Sequence, residues 1–198
     1  AREIPGRRWL WAGVLTGGAV CMDFMAVPFA AVSLLWAWQR SRREAAQLVL
    51  GGSVGLVAIL GYNGYCFGSI LHFPTEGTNS GFVDSQRWLG LFGSPSGEAL
   101  WQLTLGEYRG MLLQMPVLLL ALVGFGRWFR RDGKDPLLWG ALAVVLGTLW
   151  LAASFNGWHG GATVCARYLI PCLPLFLLGL KELPTPLWAW PITFAVGC

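Results

Sequence analysis

The 198 residues are 55% apolar and 12% charged, with twelve tryptophans and a formal net charge of +4. A soluble globular domain carries about 25% charged residues, so too few charges are present to cover a water-facing surface. No aromatic-interleaved basic stretch stands outside the apolar runs, which excludes nucleic acid as an expected partner. The expected fold class is all-α, a polytopic transmembrane helix bundle in a single domain, with membrane lipids around it.

The chain opens without an initiator methionine. Arg7-Arg8 precede an apolar run that has no A-x-A cleavage site, so this start is not a secretory signal peptide. Residues 9–38 are apolar except for Asp23 and are too long for one untilted crossing of ~20 residues. With Gly17-Gly18 and Pro28 close by, a two-limbed hairpin turning near Asp23 is expected, and one kinked helix is the alternative. Asp23 would then cap the second limb, Phe24 to Trp38. A clean span follows at 45–70, then a long polar stretch at 71–108. Spans at 110–126 and 137–156 are separated by a charged turn from Arg127 to Pro136. Another span is expected at 164–180, and a last one begins at 186–198 and breaks off. The chain is therefore expected to be a fragment of a longer polypeptide.

Charge asymmetry sets the sidedness. The basic clusters are Arg7/Arg8, Arg40/Arg42/Arg43 and Arg127/Arg130/Arg131/Lys134, with Lys181 beyond them. Lysine and arginine gather on the cytoplasmic side of membrane spans, and alternation along the chain agrees if 9–38 enters and returns on one side. The loops at 71–108 and 157–163 then face outward, into a periplasm or a lumen, and only Arg87, Arg109 and Arg167 among the basic residues lie on that side. The expected location is a bacterial inner membrane, crossed several times. The five cysteines, Cys21, Cys66, Cys165, Cys172 and Cys198, mostly sit in apolar stretches without C-x-x-C spacing and read as small hydrophobes.

Three groups of polar residues lie at outward mouths. The first is Asn156-Gly157-Trp158-His159-Gly160-Gly161, with Arg167 and Tyr168 expected about a turn inside the next helix. Glycines let backbone N–H groups approach an anion, and a helix N-terminus adds partial positive charge. Arg167 could present a bidentate fork to a phosphate; alternatively it snorkels to the interface while Trp158 and Tyr168 anchor the aromatic belt. His159 alone is a weak sign. The second group is Glu107, Tyr108 and Arg109, where Glu107 and Arg109 either bind a polar headgroup or pair with each other at a helix end. The third runs from Gly61 to Gly68, where Tyr62 and Asn63 anchor an interface or line a polar cavity, followed by His72, Glu76 and Asp84. No spacing among Glu76, Asp84 and Glu98 marks a carboxylate pair or a metal site. Serine-hydrolase, phosphate-loop, zinc-protease and dinucleotide motifs are missing, so no cofactor is expected.

The succession Tyr62-Asn63-x-x-x-Phe67-Gly68, a long loop, Tyr108-Arg109-Gly110-Met111-Leu112 with Pro116, and Trp158-His159-Gly160-Gly161 followed by Arg167-Tyr168-Leu169-Ile170-Pro171 resembles the C-terminal half of a GT-C glycosyltransferase membrane domain. The nearest likeness is to the dolichyl-phosphate-mannose protein mannosyltransferase-like and RgtA/B/C/D-like group. The hairpin from Gly13 to Asp23 is similar to the short central helices of that fold. The resemblance implies a transferase that takes a sugar from a polyprenyl-phosphate donor and moves it to an acceptor at the outer face. It implies that the catalytic acid lies upstream of residue 1, that Arg167 faces the lipid-phosphate pocket, and that Trp158 and His159 flank it. Arg109, Tyr168 and Glu107 complete the expected substrate-binding set. A transporter or lipid flippase is the main competing reading, and it predicts charged residues near mid-span in two repeats. A non-catalytic membrane scaffold is the third.

Overall fold

The computed structural model describes residues 8–71, 91–161 and 166–184. Among them every regular element is helical: α1 (Arg8–Met22), α2 (Val27–Arg40), α3 (Arg42–Phe67), α4 (Gly97–Thr104), α5 (Met111–Gln114), α6 (Val117–Asp132), α7 (Pro136–Ser154) and α8 (Leu173–Leu180). Short 3-10 segments, Phe24–Ala26 and Arg167–Cys172, lead into α2 and α8. The chain divides into two compact units, Ala1–Phe92 and Gly93–Cys198.

In the first unit, the apolar stretch 9–38 is two helices with a break at Asp23. Asp23 takes an extended conformation, and its Oδ1 accepts the Met25 N–H at 2.9 Å, so it caps the 3-10 turn that precedes α2. Pro28 falls in the first turn of α2, where a missing N–H leaves no hydrogen bond unmade. Ser41, again extended, separates α2 from α3 and caps α3 by accepting the Glu44 N–H at 3.1 Å. Trp9, at the head of α1, packs against Ala37 near the end of α2 and against Ala45 and Leu48 in the first turns of α3. The chain therefore runs out along α1 and back along α2, which gathers Arg8, Arg40, Arg42 and Arg43 at one end.

α1 and α3 run parallel and touch backbone to backbone. The contact is made by Gly13-x-x-x-Gly17 on α1 and Gly51-x-x-x-Gly55 on α3. A Cβ on Gly13 would strike the Leu48 carbonyl, and one on Gly51 the Leu10 carbonyl. A Cβ on Gly17 would lie 2.6 Å from the Gly52 carbonyl oxygen, and one on Gly55 2.7 Å from that of Gly17. Such small-residue seams allow the close packing that holds helices together where no hydrophobic effect acts between them.

α3 and α7 are long and apolar enough to cross a membrane. Only 22% and 39% of their most apolar windows are buried inside the chain, whereas the core helix of a soluble protein is covered on most sides. The limbs α1 and α2 have 15 and 14 residues, fewer than the ~20 needed for a full crossing.

In the second unit, α4 lies inside the stretch 71–108 read as loop, of which 72–90 fall outside the described residues. Ser96 caps α4 through the Ala99 N–H at 3.0 Å; Ala99 and Leu103 are buried and Trp101 is exposed. The stretch 110–126 is not one helix. α5 ends at Gln114; the backbone of Met115 leaves the helical region ahead of Pro116, and α6 begins beyond it. α6 also continues through Arg127, Arg130 and Arg131, so the expected charged turn shrinks to Gly133, Lys134 and Asp135. Arginine is a good helix former, and cations are favoured in a helix's last turn. Asp135 Oδ1 accepts the Leu137 N–H at 2.8 Å to start α7, and its Oδ2 accepts the Trp128 Nε1–H at 3.1 Å.

α8 lies parallel to α6. The two helices cross at Gly124 and Gly179, where a Cβ on either would strike backbone of the other helix. Phe125 and Phe176 meet edge to face at 6.2 Å. Beyond the crossing, Arg131 pairs with Glu182, and Arg127 Nε donates to the Glu182 carbonyl at 3.2 Å. The stretch 164–180 is, over its described part, a 3-10 helix of six residues followed by the eight of α8, with Pro171 inside the former. The last expected span, 186–198, lies outside the described residues.

Candidate functional site

The two ends of the second unit differ in chemistry. At one end the last turns of α6 and α8 bring Arg127, Arg130 and Arg131 around Glu182. At the other, the loop after α7 meets the loop between α4 and α5 and the head of the 3-10 helix that leads to α8. The sequence-predicted residues Glu107, Tyr108, Arg109, Trp158, His159, Arg167 and Tyr168 all fall in these three segments.

The loop 155–161 is built by local bonds. Trp158 N–H donates to the Phe155 carbonyl at 3.1 Å and Gly160 N–H to the Gly157 carbonyl at 2.8 Å. Gly160 and Gly161 both take positive φ, 68° and 70°, the left-handed region that glycine enters without steric cost. The Gly161 N–H donates to His159 Nδ1 at 3.2 Å, which leaves Nε2 as the position for the imidazole proton in the neutral ring. Trp158 stands edge to face against the His159 ring at 5.9 Å. His159 is exposed and Trp158 half-buried.

Arg109 sits in the facing loop between two glycines. Gly110 N–H donates to the Gly106 carbonyl at 2.7 Å, and a Cβ on Gly110 would strike that carbonyl. This tight turn carries the Arg109 guanidinium inward, to 2% exposure. There it donates to the Gly161 carbonyl and, at 3.0 Å, to the Tyr108 hydroxyl, and it lies 4.4 Å from the Tyr108 ring centroid. Gln114 Nε2 ties α5 to the same loop through the Tyr108 carbonyl at 3.3 Å. The expected Glu107–Arg109 pair does not form. Glu107 is exposed, and the ion pairs among the described residues are Arg40–Glu44 and Arg131–Glu182. Burial takes the arginine one way while the turn leaves its neighbour in the open.

Arg167 has the opposite environment. It is the first residue of its 3-10 helix, not one turn inside a longer one, and it is exposed. Its guanidinium donates to the Tyr168 hydroxyl at 3.0 Å and lies 4.9 Å from the Tyr168 ring centroid. Tyr168 in turn meets Phe155 edge to face at 5.4 Å. Both arginines are thus tied to the same 155–161 segment, Arg109 directly from within and Arg167 through Tyr168 from the open side. Their burial distinguishes them, and no motif spacing carried that distinction; the flanking Gly106 and Gly110 are the local signal that the Arg109 turn is tight.

Below this end, an apolar cavity of about 670 Å³ opens between α6 and α8, lined by Met115, Leu118, Leu173, Phe176 and Leu177, with Lys181 at its far end. The third sequence group falls in the first unit. Tyr62 and Tyr65 are exposed, while Asn63 Nδ2 donates to the Ile70 carbonyl at 3.5 Å. Asn63 lines a cavity of about 480 Å³ with Val20, Leu56 and Ile70, so that space is apolar and not the polar cavity that stood as the alternative to an interfacial anchor. His72, Glu76 and Asp84 lie outside the described residues. Among the described residues no group of three or more potential metal ligands gathers.

No protein-family model, no curated protein and no solved structure matches this chain.

Proposed function

We propose that this chain is part of an integral membrane glycosyltransferase of the GT-C type, crossing a bacterial inner membrane several times. In this reading it moves a sugar from a polyprenyl-phosphate donor to an acceptor at the extracytoplasmic face. The observation that carries the reading is the exposed Arg167, held beside a two-glycine turn at the end of its unit opposite Arg127, Arg130 and Arg131. Transfer from a lipid phosphate develops charge on the departing phosphate, and cations or oriented N–H groups lower that barrier. Arg167 and Tyr168 are the ligand-facing pair. Trp158, His159 and Glu107 border them, and Arg109 positions the turn from within. The cleft between α6 and α8 is apolar up to Lys181 at its far end, which suits an isoprenoid tail.

A transporter would carry ionisable residues near mid-span. In α3 the charged residues are Arg42, Arg43 and Glu44, all in its first turn, and α7 has none. That placement favours chemistry at an interface over passage through the bilayer. The test is Arg167→Ala in the full-length protein. Sugar transfer should fall by a hundredfold or more while expression and membrane insertion stay normal. Wild-type turnover would remove Arg167 from the site and this reading with it.

A further inference from the structure

The arginine end of the first unit has a feature that sugar transfer does not use. An open groove of about 540 Å³ runs between α2 and α3, lined by Leu34, Trp38, Ala46, Val49 and Leu50, with Arg42 at its mouth. The Arg42 guanidinium carbon lies over the Trp38 ring, 3.5 Å from its centroid. A cation over an aromatic face is held there by the ring's quadrupole, and a guanidinium has five N–H donors with which to meet an anionic acceptor. Arg40 is engaged with Glu44 at 3.9 Å, whereas Arg42 and Arg43 make no ion pair among the described residues and are exposed. The first turn of α3 adds its own partial positive charge at the same place.

We propose that this groove holds one anionic phospholipid of the leaflet on the arginine-rich side, with its phosphate on Arg42 and Arg43 and an acyl chain along α2 and α3. This rests on the membrane reading above. The occupant follows from complementarity. A cationic mouth leading into an uncharged apolar trough matches an amphiphile with an anionic head and matches neither a free anion nor a neutral lipid. The length agrees as well. From Arg42 to Ser53 at the inner end of the groove the helix rises by roughly 16 Å at ~1.5 Å per residue, about half of the ~30 Å hydrocarbon core. Basic pockets between membrane helices on the cytoplasmic side take such headgroups.

The experiment is native mass spectrometry of the full-length protein extracted in mild detergent with equal amounts of phosphatidylglycerol and phosphatidylcholine of the same chains. Wild type should retain one phosphatidylglycerol at least fivefold over phosphatidylcholine. Arg42→Ala with Arg43→Ala should abolish that preference. Ala46→Trp, an exposed position that fills the trough and leaves the arginines in place, should reduce retention by a similar factor. Equal retention of the two lipids by wild type, or a wild-type preference in both variants, overturns the site. Carbonate extraction separates the two claims. A chain washed from membranes refutes the membrane reading and the site together, whereas one that stays in membranes without lipid preference refutes the site alone.

Discussion

Arg109 donates to the carbonyl of Gly161, 52 residues further along the chain, from a position with 2% exposure. This bond joins the loop after α4 to the loop after α7 and determines where the two-glycine turn stands. A hydrogen bond from a charged donor contributes about 1.5–3 kcal/mol, and Arg109 has the Tyr108 hydroxyl and ring beside it in addition.

Arg109 and Arg167 should therefore fail differently. Arg109→Ala removes a buried, bonded cation and should destabilise the second unit by about 2 kcal/mol, seen as a lower midpoint in thermal unfolding in detergent. Arg167→Ala removes an exposed side chain and should move stability by no more than about 0.5 kcal/mol, while the proposed transfer activity should fall. Equal stability of the two variants would show that Arg109 is not a clamp.

The turn itself makes a second prediction. Gly160→Ala and Gly161→Ala each force a Cβ into left-handed backbone, at about 1–2 kcal/mol per residue. Because Gly161 also presents the carbonyl to Arg109, its substitution should bring a larger fall in unfolding midpoint than Gly160→Ala. Combined with Arg109→Ala, Gly161→Ala should cost less than the two single effects added, since both act on one contact.

The helix seam gives a third. Gly13→Leu and Gly51→Leu would drive side chains into the backbone of the neighbouring helix and should destabilise the first unit by about 2 kcal/mol or more. Gly18 has nothing within 4 Å of where a Cβ would stand, so Gly18→Ala should be neutral or stabilising by up to about 1 kcal/mol. Unfolding by detergent titration compares the three. A penalty at Gly18 equal to that at Gly13 would contradict the seam.

Much of this was legible in the sequence, and what was missed has a physical reason. Composition marked the chain as helical, and the length of 9–38 with Asp23 inside it pointed to a break, because an extended carboxylate that caps the next turn is a local event. The extent of α6 was not legible. A run of arginines reads as a polar turn, yet their helix propensity and the helix dipole carry the helix on to Asp132. The glycine seam was written as Gly13-x-x-x-Gly17 and Gly51-x-x-x-Gly55, but which helices face each other is a tertiary fact. The burial of Arg109 and the exposure of Arg167 were invisible for the same reason. Both are arginine–tyrosine neighbours in glycine-rich surroundings, and only the fold puts one inside and leaves the other open.

The central claim is that the two ends of the second unit lie on opposite sides of a membrane. Single cysteines at Lys134 and His159, placed in a cysteine-free background of the full-length protein, can be labelled in intact cells with a membrane-impermeant maleimide. The cysteine at 159 should react at once and the one at 134 only after the membrane is permeabilised. Labelling of both positions from the same side would contradict the outward-facing site and every function built on it.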